Sequence, residues 1–307
     1  MEEIRIFAPA TVANLSCGFD VLGCCLEGIG DEMLVRKNRL NEVRITRITG
    51  QELPMETLKN VAGVAILELL KKLENDQGFD IEIHKKIKPG SGIGSSAASS
   101  AGAVFAVNRL LGEPFTAMEL IPFAMEGEQL ASGSAHADNV APALLGGFSL
   151  IRSYNPLEVL RLPTPKELRM VILHPHIEVN TRDSRAIVKQ RLSLQNAVQQ
   201  WGNLAAFVSA LYTEDYGLLG RSLKDEIVEP VRSILIPYFE DLRRISLANG
   251  ALGFGISGSG PSVFAMCKGD GPAGKVKQAM GDFYQNKDIE FDLQLSEISS
   301  AGVKIIG

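Results

Sequence analysis

The stretch KPGSGIGSSAASSAG, from Lys88 to Gly102, constrains the fold more than any other part of the chain. It follows a segment in which Phe79, Ile81 and Ile83 alternate with Asp80, Glu82 and His84, the period of a half-buried strand. It leads into a run of small and apolar residues, Ala97 to Leu111, that reads as a helix stopped by Gly112. A strand, a glycine-rich bend and a helix opening with Ser95 and Ser96 present free backbone N–H groups to an anion. First-turn N–H groups have no partner within their helix, and the aligned peptide dipoles favour negative charge there. Gly90, Gly92 and Gly94 carry no Cβ, so a phosphate chain can lie directly on the backbone. No Lys-Ser or Lys-Thr follows the last glycine, which excludes a Walker A loop. Ser95 stands where a GxGxxG dinucleotide fingerprint has its third glycine. A glycine-serine linker is the plain alternative, and the flanking strand and helix argue against it.

At 307 residues the chain is long enough for one large or two medium domains. Thirty-one Lys and Arg against 36 Asp and Glu leave a net charge of −5. That balance argues against nucleic acid or an anionic membrane as partner, so an anionic substrate needs a local cluster of positive charge. Cys17, Cys24, Cys25 and Cys267 show neither a disulfide framework nor CxxC spacing, and Cys24 and Cys25 read as half-buried structural thiols. Met1-Glu2-Glu3 lacks the basic region and apolar core of a signal peptide, and no run approaches the ~18 apolar residues of a membrane span. These features point to a reduced, cytoplasmic protein.

In chain order, residues 3–8 alternate as a strand and stop at Pro9. PATVANLSCGFDVLG, Pro9 to Gly23, concentrates Thr11, Asn14, Ser16, Gly18 and Asp20, which by themselves read as a turn. Residues 31–37 and 41–48 read as strands. Val61, Val64, Leu67, Leu70 and Leu73 predict an amphipathic helix starting near Asn60. Thr116 with Glu119 makes a capping box for a helix through about Ala131, kinked or offset at Pro122. Glu126 and Glu128 lie near its end, where a carboxylate opposes the dipole unless something positive pairs with it. Ser132 to Phe148 brings His136, Asp138 and Asn139 together, too few ligands for a metal site.

Prolines around Asn155–Pro165 mark a boundary, giving domains 1–155 and 156–307. A strand, Leu168 to Leu173, ends at His174-Pro175-His176, and two histidines alone fall short of a metal site. Arg182, Arg185 and Arg191 follow a strand end, where arginines suit bidentate pairing with carboxylate or phosphate. Helical periodicity fills 190–211, with Trp201 read as core, and 230–248, closed by Asn249-Gly250. GFGISGSGPSVFAM, Gly253 to Met266, is a tight turn or a close approach to phosphate. A helix near 272–286 and strands at 289–295 and 301–306 complete an α+β pattern.

PATVANLSCGFDVLG, KPGSGIGSSAAS and GFGISGSGPSVFA, in this order, resemble the GHMP kinases, a superfamily named for galactokinase, homoserine kinase, mevalonate kinase and phosphomevalonate kinase. The first of them, with HADNVAPALLGGF and IVEPVR, resembles the homoserine kinase branch, and the resemblance extends over about residues 3–307. It implies a two-domain GHMP kinase fold, with a ribosomal-protein-S5-like N-terminal domain containing a left-handed βαβ unit and a ferredoxin-like C-terminal domain. ATP and the substrate L-homoserine would lie in the cleft between them.

Carried over residue by residue, the resemblance places the phosphate loop on Pro89, Gly90, Ser91, Gly92, Ile93, Gly94, Ser95 and Ser96. It gives Mg²⁺ to the Ser96 hydroxyl and the Glu128 carboxylate, and the nucleotide region to Asn60, Val61, Lys85 and Lys88. Homoserine contacts fall on Asn14, Asp20, Asn139, Arg185 and Arg232, with His136 and Thr181 nearby. The types suit the ligand: an acid for the α-ammonium, arginines for the α-carboxylate, amides for the hydroxyl end. Mevalonate kinases and galactokinases carry an aspartate base where homoserine kinases, like this chain, have asparagine, here Asn139. The resemblance therefore implies attack of the hydroxyl without an enzyme base, catalysis resting on Asn139, Arg185, Glu128 and Ser96 as positioning and electrostatic groups. Ser16-Cys17 departs from the glycine and small residue common in relatives, and Arg182 competes with Arg185 for the carboxylate. Homodimerisation is also implied. Another small-alcohol kinase, of mevalonate or shikimate type, and a non-catalytic ligand sensor are the competing readings.

Overall fold

The structure, a computed structural model, describes residues 1–177, 179, 184, 186–188 and 191–306. Strand β1 (Glu3–Ala13) starts with the expected alternation, Ile4 and Ile6 buried against exposed Glu3 and Arg5, yet it does not stop at Pro9. From Ala8 onward both faces are buried, so the period-two signal disappears while the strand continues. Pro9 is tolerated because the register shifts between Pro9 and Thr11, a bulge where a missing N–H disrupts least.

Strand β2 (Leu22–Asn38) runs antiparallel to β1 and begins well before the expected residue 31. Strand β3 (Val43–Thr49) and strand β4 (Gly78–His84) lie parallel, joined through helix α1 (Val61–Leu73). Strands β5 (Phe148–Tyr154) and β6 (Leu157–Leu162) form a hairpin attached to β2, and strand β11 (Lys304–Ile305), shorter than the expected 301–306, pairs with β1. The first sheet therefore runs β11-β1-β2-β4-β3, with β5 and β6 added along β2. Residues 155 and 156 form the turn of the β5–β6 hairpin, and the chain leaves the first sheet between Leu162 and Leu168.

The second sheet is β10 (Phe291–Glu297), β7 (Leu168–Pro175), β9 (Val263–Lys268) and β8 (Ala251–Ile256), every neighbour antiparallel. With helices after β7 and the Asp270–Gln285 helix between β9 and β10, this is the ferredoxin-like βαββαβ order. Pro175 belongs to β7, not beyond it, and the continuous helix expected over 230–248 is divided. Pro237 and the left-handed Tyr238 (φ 62°) separate Glu229–Arg232 and its short 3-10 extension from Phe239–Ala248.

Helix α2 (Ser95–Leu110) is the centre of the first half. Its Ala, Ser and Gly residues are buried almost all round, because it lies against β1, α1 and helix α3 (Ala117–Ser132) at once. At Gly102 a Cβ would come within 2.8 Å of Met33 Sδ and 3.0 Å of Ala8 Cβ, so the close approach to the sheet requires glycine. Helix α3 has the expected capping box, and it continues through Pro122, an exposed position. Large side chains such as Phe79, Phe148 and Phe207 are fully buried, each contributing about 1.5–3 kcal/mol.

Trp201 is not core: it is 54% exposed. The Leu194–Thr213 helix buries only Phe207, Ala210 and Leu211, and nine residues at about 100° each put Ala210 on the face opposite Trp201. Cys24 and Cys25, expected half-buried, are fully buried, and burial pushes the Cys24 thiol up to about 12. Among the described residues, no helix is long and apolar enough to cross a membrane.

Candidate functional site

Between the two sheets lies a cavity of about 850 Å³. Its lining includes the expected phosphate loop: Lys88, Pro89, Gly90, Gly92, Gly94, Ser95 and Ser96 line it, and Gly94 caps α2 with a left-handed φ of 70°. The first N–H groups of a 16-residue helix thus open onto the cavity, as the sequence required. The expected loop residues Ser91 and Ile93 face inward to protein instead. Both are buried, the Ile93 carbonyl accepts the Thr11 N–H at 3.2 Å, and the Ser91 carbonyl accepts the Ser262 N–H at 3.2 Å.

The third glycine-rich stretch buttresses this loop. Ser257 Oγ donates to the Gly92 carbonyl at 2.8 Å, and a Cβ on Gly92 would lie 2.6 Å from the Gly260 carbonyl oxygen. Gly258 and Ser259 themselves line the cavity.

Beneath the loop is a buried ion pair that sequence spacing did not reveal. Lys85 Nζ bonds Asp31 Oδ2, the Ser95 carbonyl at 2.8 Å and Ser99 Oγ at 3.1 Å. Asp31 Oδ1 also accepts the N–H groups of Lys86 at 2.7 Å and Ile87 at 2.9 Å. Both side chains are essentially inaccessible, and burial pushes the Lys85 ammonium down while Asp31 holds it charged. All three ammonium protons are therefore taken by protein acceptors, although Lys85 borders the cavity.

Glu128, near the end of α3, is brought to the cavity by close helix packing. A Cβ on its neighbour Gly127 would lie 2.7 Å from Ser100 Cβ and from the Val61 carbonyl oxygen. Burial raises the Glu128 carboxyl, while a Ser96 hydrogen bond and the Lys85 charge lower it. Its Oε1 is buried with no hydrogen-bond partner among the described residues. A buried carboxylate oxygen left unsatisfied beside a serine hydroxyl suits a divalent cation that also takes phosphate oxygens and water. Among the described residues no cluster of three or more His, Cys, Asp or Glu occurs, so an all-protein metal cage is absent there.

The segment after β1 is bent sharply: Asn14, Leu15 and Ser16 have φ of 71°, 46° and 58°, and Asp20 has 60°. Consecutive left-handed non-glycine residues cost about 1–3 kcal/mol each and cluster at functional sites. The turn suggested by Asn14 and Asp20 is thus real, and it also shapes the cavity. Asn14 Oδ1 accepts the Asp20 N–H at 2.9 Å and its Nδ2 donates to the Gly258 carbonyl at 2.8 Å. Asp20 Oδ2 lies 3.8 Å from His136 Nδ1. Asn139 precedes the short helix α4 (Val140–Leu145), and its Oδ1 accepts the Thr11 hydroxyl at 2.7 Å. Asn14, Asp20, His136, Asp138 and Asn139 all line the cavity.

Arg232 reaches the same cavity from the second half. It is buried, its guanidinium 5.0 Å over the Phe19 ring, with Nε donating to the Ser184 carbonyl at 2.9 Å. Its four-residue helix is fixed by residues the sequence did not single out. The Asp225 carboxylate accepts the N–H groups of Ile227, Val228 and Glu229 at 2.8–3.0 Å, and Glu229 pairs with Arg243. Burial pushes the Glu229 carboxyl up to about 7 from its ordinary 4.5. The folded chain then holds a proton that the unfolded chain releases, so this carboxyl's contribution to stability falls as pH rises from about 4.5 to 7. Glu229→Gln is expected to flatten this decline, and urea unfolding at pH 5 and pH 8 checks it.

Asn60 caps α1, its Oδ1 accepting the Ala62 N–H at 3.0 Å and its Nδ2 donating to the Pro54 carbonyl at 2.8 Å; it stands behind Val61, which lines the cavity. Thr181, Arg182 and Arg185 lie outside the described residues.

The profile described as the GHMP kinases N terminal domain matches residues 59–147, and that described as GHMP kinases C terminal matches residues 207–286. A homoserine kinase from Chloroherpeton thalassium is 44% identical over 319 aligned positions, covering 100% of both chains. The crystal structure of a homoserine kinase from Cytophaga hutchinsonii is 50% identical, with a TM-score of 0.96 over 100% of this chain and 98% of that one. Mevalonate kinase from L. major, solved with R-mevalonate, is 18% identical with a TM-score of 0.72 over 97% of each chain, a likeness of fold alone. The chain belongs to the GHMP kinase family, within its homoserine kinase group.

Proposed function

We propose that the chain transfers the γ-phosphoryl group of ATP to the side-chain hydroxyl of L-homoserine, giving O-phospho-L-homoserine and ADP on the route to threonine. The observation that carries this reading is one cavity whose lining joins the phosphate loop and Glu128 to Asp20, Asn139 and Arg232. The loop's backbone N–H groups hold the phosphates, with Val61 beside the nucleotide. Lys85 ties the α2 N-terminus to Asp31 on β2, its Nζ bonding the Ser95 carbonyl and Ser99 Oγ at the edge of the cavity.

Ser96 and Glu128 are the residues that would hold Mg²⁺. The ion, when bound, neutralises charge on the phosphates and orients them. Asp20 pairs with the α-ammonium of homoserine, Arg232 and Arg185 with its α-carboxylate, and Asn14, Asn139, His136 and Thr181 surround the polar remainder. The reaction forms a bond from the homoserine oxygen to phosphorus and breaks the bond from phosphorus to the departing ADP oxygen.

Asn139 has no basic atom for the hydroxyl proton, and its Oδ1 already accepts from Thr11. In a loose transition state the proton leaves late, so positioning suffices. Asp138→Asn is therefore expected to keep turnover within about tenfold of the parent chain, since a positioned general base contributes about 10²–10⁴. Loss of turnover with fold and both substrate affinities intact would make Asp138 the base.

An ADP-release assay with Mg-ATP and L-homoserine, D-homoserine, mevalonate, shikimate and galactose tests the whole reading. Release with L-homoserine alone is the expected result. Release with another alcohol overturns the amino-acid pocket, and silence in protein that binds ATP favours a sensor. Two domains, divided between Leu162 and Leu168 and not at 155/156 because β6 belongs to the first sheet, a cytoplasmic location and a homodimer belong to the same reading. The Leu194–Thr213 helix supports the dimer: it has no charged residue, and it exposes Leu194, Val198, Trp201 and Tyr212. Sedimentation at twice the 33.2 kDa chain mass checks it.

A further inference from the structure

The two histidines at the end of β7 have no part in the reaction as described. His174 is buried, its Nδ1 3.2 Å from Ser262 Oγ, and burial pushes it down to about 4, so it stays neutral near physiological pH. His176 stands at the cavity edge, in contact with the phosphate loop. Its Nε2 lies 2.7 Å from Lys88 Nζ and 2.9 Å from Asp292 Oδ2 on β10. Its Nδ1 lies 3.4 Å from Glu290 Oε2, and Lys88 Nζ is 3.5 Å from Asp292 Oδ2. These groups and His174, whose ring centroid is 5.6 Å away, are the charged and titratable groups placed against it among the described residues.

One imidazole nitrogen offers one in-plane hydrogen-bonding position. Nε2 therefore cannot accept from the Lys88 ammonium and donate to the Asp292 carboxylate at the same time. With the ring proton on Nδ1, Nε2 accepts from Lys88 and anchors it across the domain junction. With both nitrogens protonated, Nε2 donates to Asp292, and Lys88 faces a cation where it had an acceptor.

We propose that His176, backed by Asp292, is a positioning residue for Lys88: neutral His176 holds the ammonium away from the phosphates, and protonation gives it over to them. This rests on the reading that nucleotide phosphates occupy the Pro89–Ser96 loop. It links two elements distant in sequence, the start of the phosphate loop and the open end of the second sheet. It also gives the His-Pro-His run a task that needs no metal.

The test is calorimetric titration with ADP and magnesium at pH 6 and pH 8, on the parent chain, His176→Gln, Lys88→Met and the double variant. Titration of the nucleotide itself is common to all four and cancels. Acidification is expected to tighten ADP binding about fivefold more in the parent chain than in His176→Gln, the size of one partly exposed charge contact. In the Lys88→Met background, His176→Gln is expected to change nothing, which a merely structural histidine would not predict. The proposal is overturned if His176→Gln keeps the parent's pH response, or alters it equally with and without Lys88. Failure of ADP to bind the parent chain at either pH removes the underlying reading instead, a separately recognisable result.

Discussion

Asp31→Ala is expected to cost about 3–5 kcal/mol of folding stability, although Asp31 itself does not line the cavity. Its carboxylate receives the Lys85 ammonium and two backbone N–H groups, and both charged side chains are buried. Removing it strands a buried cation, and that penalty exceeds any benefit from the lost desolvation of the pair. The double variant Asp31→Ala, Lys85→Met is expected to recover part of the loss, because the stranded charge goes with it. Urea denaturation of the three variants checks this. A loss under about 1 kcal/mol for Asp31→Ala would mean that water or another group replaces the carboxylate, and that the pair is not the anchor described here.

Glu128→Gln is expected to move activity and stability in opposite directions. Turnover should fall about 10²–10³-fold, the scale of removing one preorganised electrostatic contact, and the magnesium concentration for half-maximal rate should rise. Stability should hold or increase, because burial disfavours the ionised carboxyl and glutamine carries no charge to desolvate. A group kept at the expense of folding is the pattern of a functional residue. An unchanged magnesium requirement at full turnover would sink the assignment of Glu128 to the cation. Loss of both activity and stability would instead point to a packing role at the α2–α3 contact.

The elements legible in the sequence were those fixed by local rules. Gly94 at the head of α2, Asn60 before α1 and the Thr116–Glu119 capping box all do locally what their residue types favour. The resemblance to a family then supplied the cavity residues that local rules could only read as turns. What stayed hidden was long-range. Asp31 and Lys85 are 54 residues apart, and nothing in the spacing of either marks the other. Residues 10–13 kept no alternation because both faces of β1 are covered, so Pro9 looked like an end. Aromatic size suggests burial for Trp201, whereas the inward face of its helix is set by Phe207, Ala210 and Leu211.

The short strand β11 has a bearing on how the chain assembles. It closes the outer edge of β1, and the residues just before it bond back to the first sheet, Ser299 N–H to the Cys25 carbonyl at 2.9 Å and Gly147 N–H to the Ser299 carbonyl at 2.6 Å. During synthesis β1 emerges first and its outer neighbour among the last residues. The nascent first half therefore carries an open strand edge, with apolar Ile4 and Ile6 beside it, until the ferredoxin-like half has been made. Over that interval the edge is open to pairing with any other unpaired strand, and β11 is what ends the opportunity.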